Sequence, residues 1–76
     1  MITVKLYGLL RIESGIKEKR LEAATVKEAL EQLTACGIDR KDLNGCVILV
    51  NGNPANKRSK LTDGDAVVLM SPVAGG

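Results

Sequence analysis

The last six residues of the chain, 71–76, are the part of the sequence best suited to chemistry. They read Ser-Pro-Val-Ala-Gly-Gly, show no amphipathic period and end on two residues without side chains. Because Pro72 biases its predecessor towards extended backbone and glycine has no Cβ, we expect a flexible tail that can thread a narrow channel. A terminal carboxylate is ionised at neutral pH and is a poor acceptor for nucleophiles. An ATP-dependent enzyme would activate it at Gly76 as an acyl-adenylate, and sulfide could then displace AMP to leave a thiocarboxylate.

The sequence contains few residues that could form other kinds of catalytic site. The 76 residues include no His and only two Cys. Cys36 and Cys46 are ten positions apart and form no Cys-x-x-Cys pair, so the sequence predicts neither a zinc site nor a His general base. The two thiols are interpreted as small buried side chains in a reducing cytoplasm, which is the expected location of the protein.

The charge distribution indicates an ordinary solvated surface. The sequence has eleven Lys and Arg residues and nine Asp and Glu residues, which gives a net charge of +2. The basic segment 57–60 has no interleaved aromatic residues to stack on bases, and no Gly-rich phosphate loop is present, so no nucleic-acid partner is expected. The longest apolar run, Cys46–Val50, is far shorter than the ~20 residues that span a bilayer, so no membrane partner is expected either.

The first half of the chain predicts two strands and a helix. Ile2–Tyr7 alternates apolar and mostly polar residues like a half-buried strand, and a turn at Ser14-Gly15 leads to a charged edge strand over 16–22. Residues 25–28, Thr-Val-Lys-Glu, fit a capping box that begins a helix, and Gly37 is expected to end it. The apolar face of this helix repeats at i, i+3, i+4 and i+7, through Val26, Ala29, Leu30 and Leu33.

The second half predicts two further strands. Residues 38–44 are expected to form a loop or one helical turn, and the apolar strand Cys46–Val50 ends at a tight turn at Asn51-Gly52. An irregular loop over 53–60 precedes the last strand, 66–70. Strand pairs on either side of one helix imply an α+β, β-grasp (ubiquitin-like) fold, with a mixed sheet in ββαββ order and the main helix on one face. The predicted domain is 1–70, followed by the tail 71–76. Its core is expected to include Leu6, Val26, Leu30, Leu33, Ile48, Val67 and Leu69.

Two short motifs resemble those of a known family. Gly64-Asp65 opens the last apolar strand, and Pro72-Val73-Ala74-Gly75-Gly76 closes the chain. Together with the order and length of the elements, they resemble the MoaD/ThiS family of ubiquitin-like sulfur carriers along the whole chain. The family often has a second proline where Ser71 stands and many relatives are acidic, which leaves the stiffness of the tail and the electrostatics of partner choice open.

The resemblance implies a carrier that contributes no catalytic side chains of its own. Gly76 would be adenylated by an E1-like (MoeB/ThiF-like) enzyme that consumes ATP, and then thiocarboxylated. Pro72, Val73, Ala74 and Gly75 would thread into a partner. That partner would be the MoaE-like large subunit of molybdopterin synthase, with this chain as the small subunit, monomeric alone and heterotetrameric with the large subunit. No bound cofactor and no metal are implied.

Three residues are predicted to form a docking surface for these partners. With the helix on one face of the sheet, Val68 and Met70 should point away from Val67 and Leu69, and Leu49 is a candidate for the same uncovered face.

Other functions stay open: sulfur delivery to the thiazole of thiamin, a protein modifier joined to lysine, and a binding domain whose Gly-Gly end is incidental.

Overall fold

Five strands and three helices make up the part of the chain that the structure, a computed structural model, describes: residues 1–71. In chain order the elements are β1 (Ile2–Tyr7), α1 (Leu9–Ser14), β2 (Glu18–Leu21), α2 (Val26–Ala35), α3 (Arg40–Asn44), β3 (Val47–Val50), β4 (Asn53–Pro54) and β5 (Ala66–Met70). The four predicted strands and the main helix are all present. The predicted division into a domain and a tail at residue 71 stays a prediction.

The strands form one mixed sheet in the order β2-β1-β5-β3-β4. The central strand β5 is parallel to its neighbour β1, and every other neighbouring pair is antiparallel. Leu69 in β5 lies beside Leu6 in β1 and Ile48 in β3, so these three side chains share one face of the sheet. This arrangement confirms the predicted β-grasp, ubiquitin-like fold.

The core lies between that face and the helices. Fourteen buried apolar side chains form one cluster, to which α2 contributes Val26, Ala29, Leu30 and Leu33. Every predicted core residue belongs to it except Ile48, which is partly buried and packs against the cluster. Leu61 is also buried and anchors the end of the long loop before β5.

Helix α2 begins with the predicted capping box, but the Glu28 side chain bonds a different backbone amide from the one expected. The Thr25 hydroxyl accepts a hydrogen bond from the Glu28 amide at 3.3 Å, as the capping box requires. The Glu28 carboxylate reaches the Ala24 amide, one residue before the N-cap, at 2.6 Å. Gly37, with φ of +102°, follows the C-cap Cys36 and ends the helix as expected.

Replacement of Thr25 by alanine tests this cap. We expect Thr25→Ala to lower the free energy of unfolding by about 1 kcal/mol, because one amide of the first turn loses its acceptor. Thr25→Ser keeps the hydroxyl and should stay close to the wild type. Urea denaturation followed by circular dichroism measures both, and equal losses in the two variants would contradict the role of the hydroxyl.

Two short elements differ from the sequence-based expectation. The segment expected to connect β1 to the first turn contains α1, a six-residue helix that buries only Leu10. A single buried residue gives no helical period, so the sequence shows no signal for it. The segment expected to be irregular after Asn51-Gly52 begins with β4, whose two residues pair with Leu49 and Val50 around that turn.

Neither thiol is fully buried as expected, and the two differ in exposure. Cys36 is exposed, because it occupies the C-cap position at the end of α2. Cys46 is half-buried, and its Sγ donates a hydrogen bond to the Leu43 carbonyl at 2.9 Å. Burial raises the pKa of the Cys46 thiol, so this group stays protonated at neutral pH and is a poor nucleophile.

Candidate functional site: the uncovered sheet face and the base of the tail

The five predicted tail residues Pro72, Val73, Ala74, Gly75 and Gly76 lie outside the described residues. Their roles, including activation at Gly76, therefore stay predictions. The structure does describe the two features on which those roles depend. One is the sheet face that the helices leave uncovered, and the other is Ser71, where the predicted tail begins.

The side chains of β5 alternate between the core and the uncovered face of the sheet. Val67 and Leu69 are 1% and 0% exposed and belong to the core, whereas Val68 and Met70 are half-buried. Leu49 lies directly opposite Val68 in the antiparallel pair of β3 and β5. Since directly paired residues share a face, Leu49 belongs to the uncovered face, a point that the unbroken apolar sequence of β3 could not decide.

Two further apolar or aromatic residues that the sequence analysis did not single out lie on this surface, which also includes Lys5 beside Val68. Tyr7 of β1 and Val47 of β3 flank Met70 on either side in the sheet register. They are 41% and 46% exposed. The alternation of β1 already placed Tyr7 on the face opposite to that of Leu6, so the signal for Tyr7 was present in the sequence. Val47 lies two residues before Leu49 and shares its face, which only the pairing of β3 with β5 reveals. We call the five side chains the open-face patch: Tyr7, Val47, Leu49, Val68 and Met70.

The base of the predicted tail adjoins this patch. Met70 is the last residue of β5, and Ser71 follows it directly. The Ser71 hydroxyl accepts a hydrogen bond from the Leu9 amide, the first of α1, at 2.7 Å. A partner that covers the patch would therefore lie beside the point from which residues 72–76 continue.

The Gly64-Asp65 motif has a structural role at the opposite end of β5. Asp65 accepts hydrogen bonds from the Thr62 amide and from the side-chain amide of Asn51, both at 2.9 Å. The Asn51 side-chain oxygen in turn accepts from the Ala66 amide at 2.9 Å. The motif thus joins the turn before β5 to the turn after β3 and fixes the register of the strand that leads to the tail.

These contacts also affect the ionisation of Asp65. The hydrogen bond from the Thr62 amide, and then that from Asn51, hold the pKa of the Asp65 carboxyl below its usual value. A carboxyl whose pKa is lower in the folded protein stabilises the fold above its unfolded pKa of about 3.9. That stabilisation is lost as the pH falls through the folded-state pKa.

Acid titration of stability tests the Asp65 contacts. We expect the urea midpoint of the wild type to fall as the pH drops from about 5 to below about 3.9, and the fall to be smaller in Asp65→Asn. Asn cannot lose a charge over this range. Equal slopes in the wild type and Asp65→Asn would contradict the assignment.

Lys57, the first residue of the basic segment 57–60, lines a cleft on the helical side of the protein. The cleft has a volume of about 280 Å³, and Lys27, Arg40 and Lys57 are among its lining residues. All three are exposed, and the Lys57 ammonium donates to the Asn44 side-chain oxygen at 2.8 Å. The predicted interpretation as a solvated surface agrees with this exposure.

Residues 1–71 show neither a membrane-spanning helix nor a metal-binding cluster. No helix in this range is long and apolar enough to cross a membrane. No group of three or more His, Cys, Asp or Glu residues in the same range is arranged to hold a metal ion. Apart from the tail, the uncovered face is thus the described feature that best fits a functional surface.

The fold and this surface define a class of protein, and comparisons with known proteins agree. A mixed five-stranded sheet with its helices packed on one face is the β-grasp, ubiquitin-like arrangement. The sequence model of the ThiS family matches residues 4–76, which includes the whole predicted tail. The chain belongs to the ThiS family.

Three solved structures illustrate the similarity in fold. SAMP1 from Haloferax volcanii is 25% identical, with a TM-score of 0.86 over 99% of this chain and 98% of that one. The small archaeal modifier protein 1 from Methanosarcina acetivorans is 27% identical, with a TM-score of 0.80 over 99% and 95%. A chain in the complex of subunits 1 and 2 of molybdopterin-converting factor from Helicobacter pylori is 26% identical, with a TM-score of 0.75 over 99% and 97%. A comparison with curated protein sequences gives no match.

Proposed function

We propose that this protein is a sulfur carrier that acts as the small subunit of a molybdopterin synthase. The observation that carries the proposal is the ThiS-family match, which extends through Gly76 and so includes the terminal Gly-Gly. In this proposal the chain is not an enzyme. Its body is a handle, and its terminal carboxylate is the reacting group.

The reaction has two steps, both on a partner enzyme. The Gly76 carboxylate attacks the α-phosphate of ATP, which forms the acyl-adenylate and releases pyrophosphate. A sulfide-level sulfur donor then attacks the acyl carbon, the acyl–oxygen bond breaks, and AMP leaves with the oxygen that joined it to the chain. The product is a thiocarboxylate with one sulfur in place of one oxygen, and no oxidant or reductant is consumed when the donor is sulfide itself.

The open-face patch is the proposed docking surface for both partners. Apolar and aromatic side chains without helical cover are typical of the centre of a protein interface. The patch lies beside Ser71, so a bound partner can receive the following residues in its active site. The proposed partners are a cytoplasmic E1-like adenylating enzyme and a large synthase subunit, with which the chain would form a heterotetramer.

The similarity to the Helicobacter pylori complex supports the synthase role, since that structure contains subunits 1 and 2 of molybdopterin-converting factor. A second candidate is a protein modifier, in which a lysine amine instead of sulfide captures the activated Gly76. The similarity to two small archaeal modifier proteins favours it. A third candidate is delivery of sulfur to a thiazole precursor, which would use the same two steps of activation and sulfur incorporation.

Reconstitution tests the proposal. The full chain is incubated with purified E1-like enzymes, ATP and sulfide, and its intact mass is measured. We expect a gain equal to the difference between sulfur and oxygen, dependent on ATP. Pull-down with a large synthase subunit or a thiazole synthase separates the two sulfur pathways, and isopeptide-linked adducts in lysate would favour the modifier. No mass change with any such enzyme would contradict the proposal.

Charge placed in the open-face patch should prevent docking. We expect Met70→Glu to weaken binding to the adenylating enzyme by at least about 30-fold, because a carboxylate at the centre of an apolar interface loses its water. Val47→Glu, at a more exposed position, should act similarly with less effect on folding. Surface plasmon resonance measures the affinity, and thermal unfolding verifies the fold.

Lys27→Gln is the matched control for this prediction. It makes the same change of one charge unit, but on α2, which covers the other face of the sheet. Its affinity should stay near that of the wild type. If Met70→Glu and Val47→Glu fold and bind as tightly as Lys27→Gln, the patch is not the docking surface.

A further inference from the structure

The start of α1 depends on a residue from the other end of the described chain. The N-cap of this helix, Gly8, has no side chain and makes no capping hydrogen bond. The Leu9 amide is one of the helix's unpaired donors, and it donates to the Ser71 hydroxyl at 2.7 Å. Ser71 therefore acts as the missing cap, although it lies 62 positions away in sequence.

The contact between Ser71 and α1 requires a glycine at position 8. Its φ of +66° and ψ of −141° are strained for any residue with a side chain. A Cβ at this position would also lie 2.6 Å from the Ser71 hydroxyl oxygen, far inside van der Waals contact. Gly15, at the other end of α1, has a φ of +73° but nothing within 4 Å of such a Cβ. Only the first of these two glycines is thus required by the approach of Ser71.

The same residue is the first one of the predicted tail. Ser71 is half-buried, and the following Pro72 restricts it to extended backbone. A fixed hydroxyl and a restricted backbone together leave residue 71 little rotational freedom. The serine that stands where the family often has a proline is therefore held by a hydrogen bond instead of a ring.

We infer that Ser71 is a positioning residue, which together with Gly8 and the Leu9 amide sets the direction in which the chain leaves the body towards a partner's active site. We call these three groups the tail clasp. The inference rests on the proposed function, since it concerns the delivery of Gly76 to the adenylating enzyme. Ser71 takes no part in the chemistry itself.

The tail clasp makes a kinetic prediction that a purely structural cap does not. If the contact holds residue 71 in the binding-competent orientation, its loss lowers the competent fraction and raises the apparent KM by the same factor. The chemistry after binding is unchanged. We expect Ser71→Ala to raise the KM for this chain in ATP–pyrophosphate exchange about fivefold, the equivalent of one hydrogen bond, with kcat unchanged. Ser71→Thr keeps the hydroxyl and should restore the wild-type KM.

A double-mutant cycle tests the geometry without any enzyme. Gly8→Ala should lower the thermal midpoint more in the wild type than in Ser71→Ala, because the clashing hydroxyl is gone in the second background. Gly15→Ala should have the same effect in both. Amide hydrogen exchange at Leu9 should quicken in Ser71→Ala and return to the wild-type rate in Ser71→Thr.

The outcomes separate the inference from the function on which it rests. Faster exchange at Leu9 with an unchanged KM would overturn the positioning role and leave Ser71 a helix cap only. Unchanged exchange at Leu9 would overturn the clasp itself. If the wild-type chain supports no exchange of pyrophosphate with any adenylating enzyme, the proposed function fails first, whatever the result at Leu9.

Discussion

Deletion of Gly76 is expected to abolish activation while leaving the domain folded. The shortened chain still ends in a glycine carboxylate, but that group is drawn back by one residue, about 3.3–3.6 Å. A reacting group displaced by even 1 Å can lose about 10²-fold in rate, so we expect no detectable pyrophosphate exchange and no incorporation of sulfur. The core and the hydrogen bonds described above involve residues 1–71, so the thermal midpoint should not change.

Ala74→Gly is the matched control for the deletion. It alters one small side chain in the same segment and keeps both the length of the chain and its terminal carboxylate. We expect it to be activated nearly as well as the wild type. If the deletion variant retained more than about a tenth of the wild-type rate, the position of the carboxylate would not limit the reaction.

The second large effect is on stability, in Leu69→Ala. Leu69 is 0% exposed and lies between Leu6 and Ile48 in the register of the sheet. Truncation of such a side chain costs about 2–5 kcal/mol. The net stability of a domain of this size is about 4–11 kcal/mol, so the variant should lose a large share of it. At room temperature, a low concentration of urea should then be enough to unfold it.

Val68→Ala is the control for Leu69→Ala, because it changes the neighbouring residue of the same strand. Val68 is half-buried on the open face, and its truncation leaves no enclosed cavity. Its urea midpoint should fall much less than that of Leu69→Ala, as measured by circular dichroism at equilibrium. Similar losses in the two variants would mean that the covered face is not the main source of stability.

The elements that could be predicted from the sequence are those with a clear local period or cap. The alternation of β1, the four apolar positions of α2 and the Thr25 cap each use residues close together in the chain. These elements fixed the fold class, because two strand pairs around one helix allow few arrangements of the sheet. The orientation of Val68 and Met70 followed from the same alternation.

The parts that could not be predicted depend on contacts between distant residues. The face of Leu49 is set by its pairing with Val68, and α1 begins where Ser71 meets Leu9. The Gly64-Asp65 motif has a structural explanation in the contact of Asp65 with Asn51, 14 residues earlier. A single sequence shows the residue types of such pairs but not their juxtaposition.

The central claim is that sulfur is carried at the carboxyl end of this chain. The most direct test is fragmentation mass spectrometry of the intact chain after incubation with an adenylating enzyme, ATP and sulfide. We predict that the gain in mass, sulfur in place of oxygen, is confined to the fragment that contains Gly76 and disappears when ATP is omitted. A gain located on Cys36 or Cys46, or no gain at all with enzymes that activate related carriers, would contradict the account.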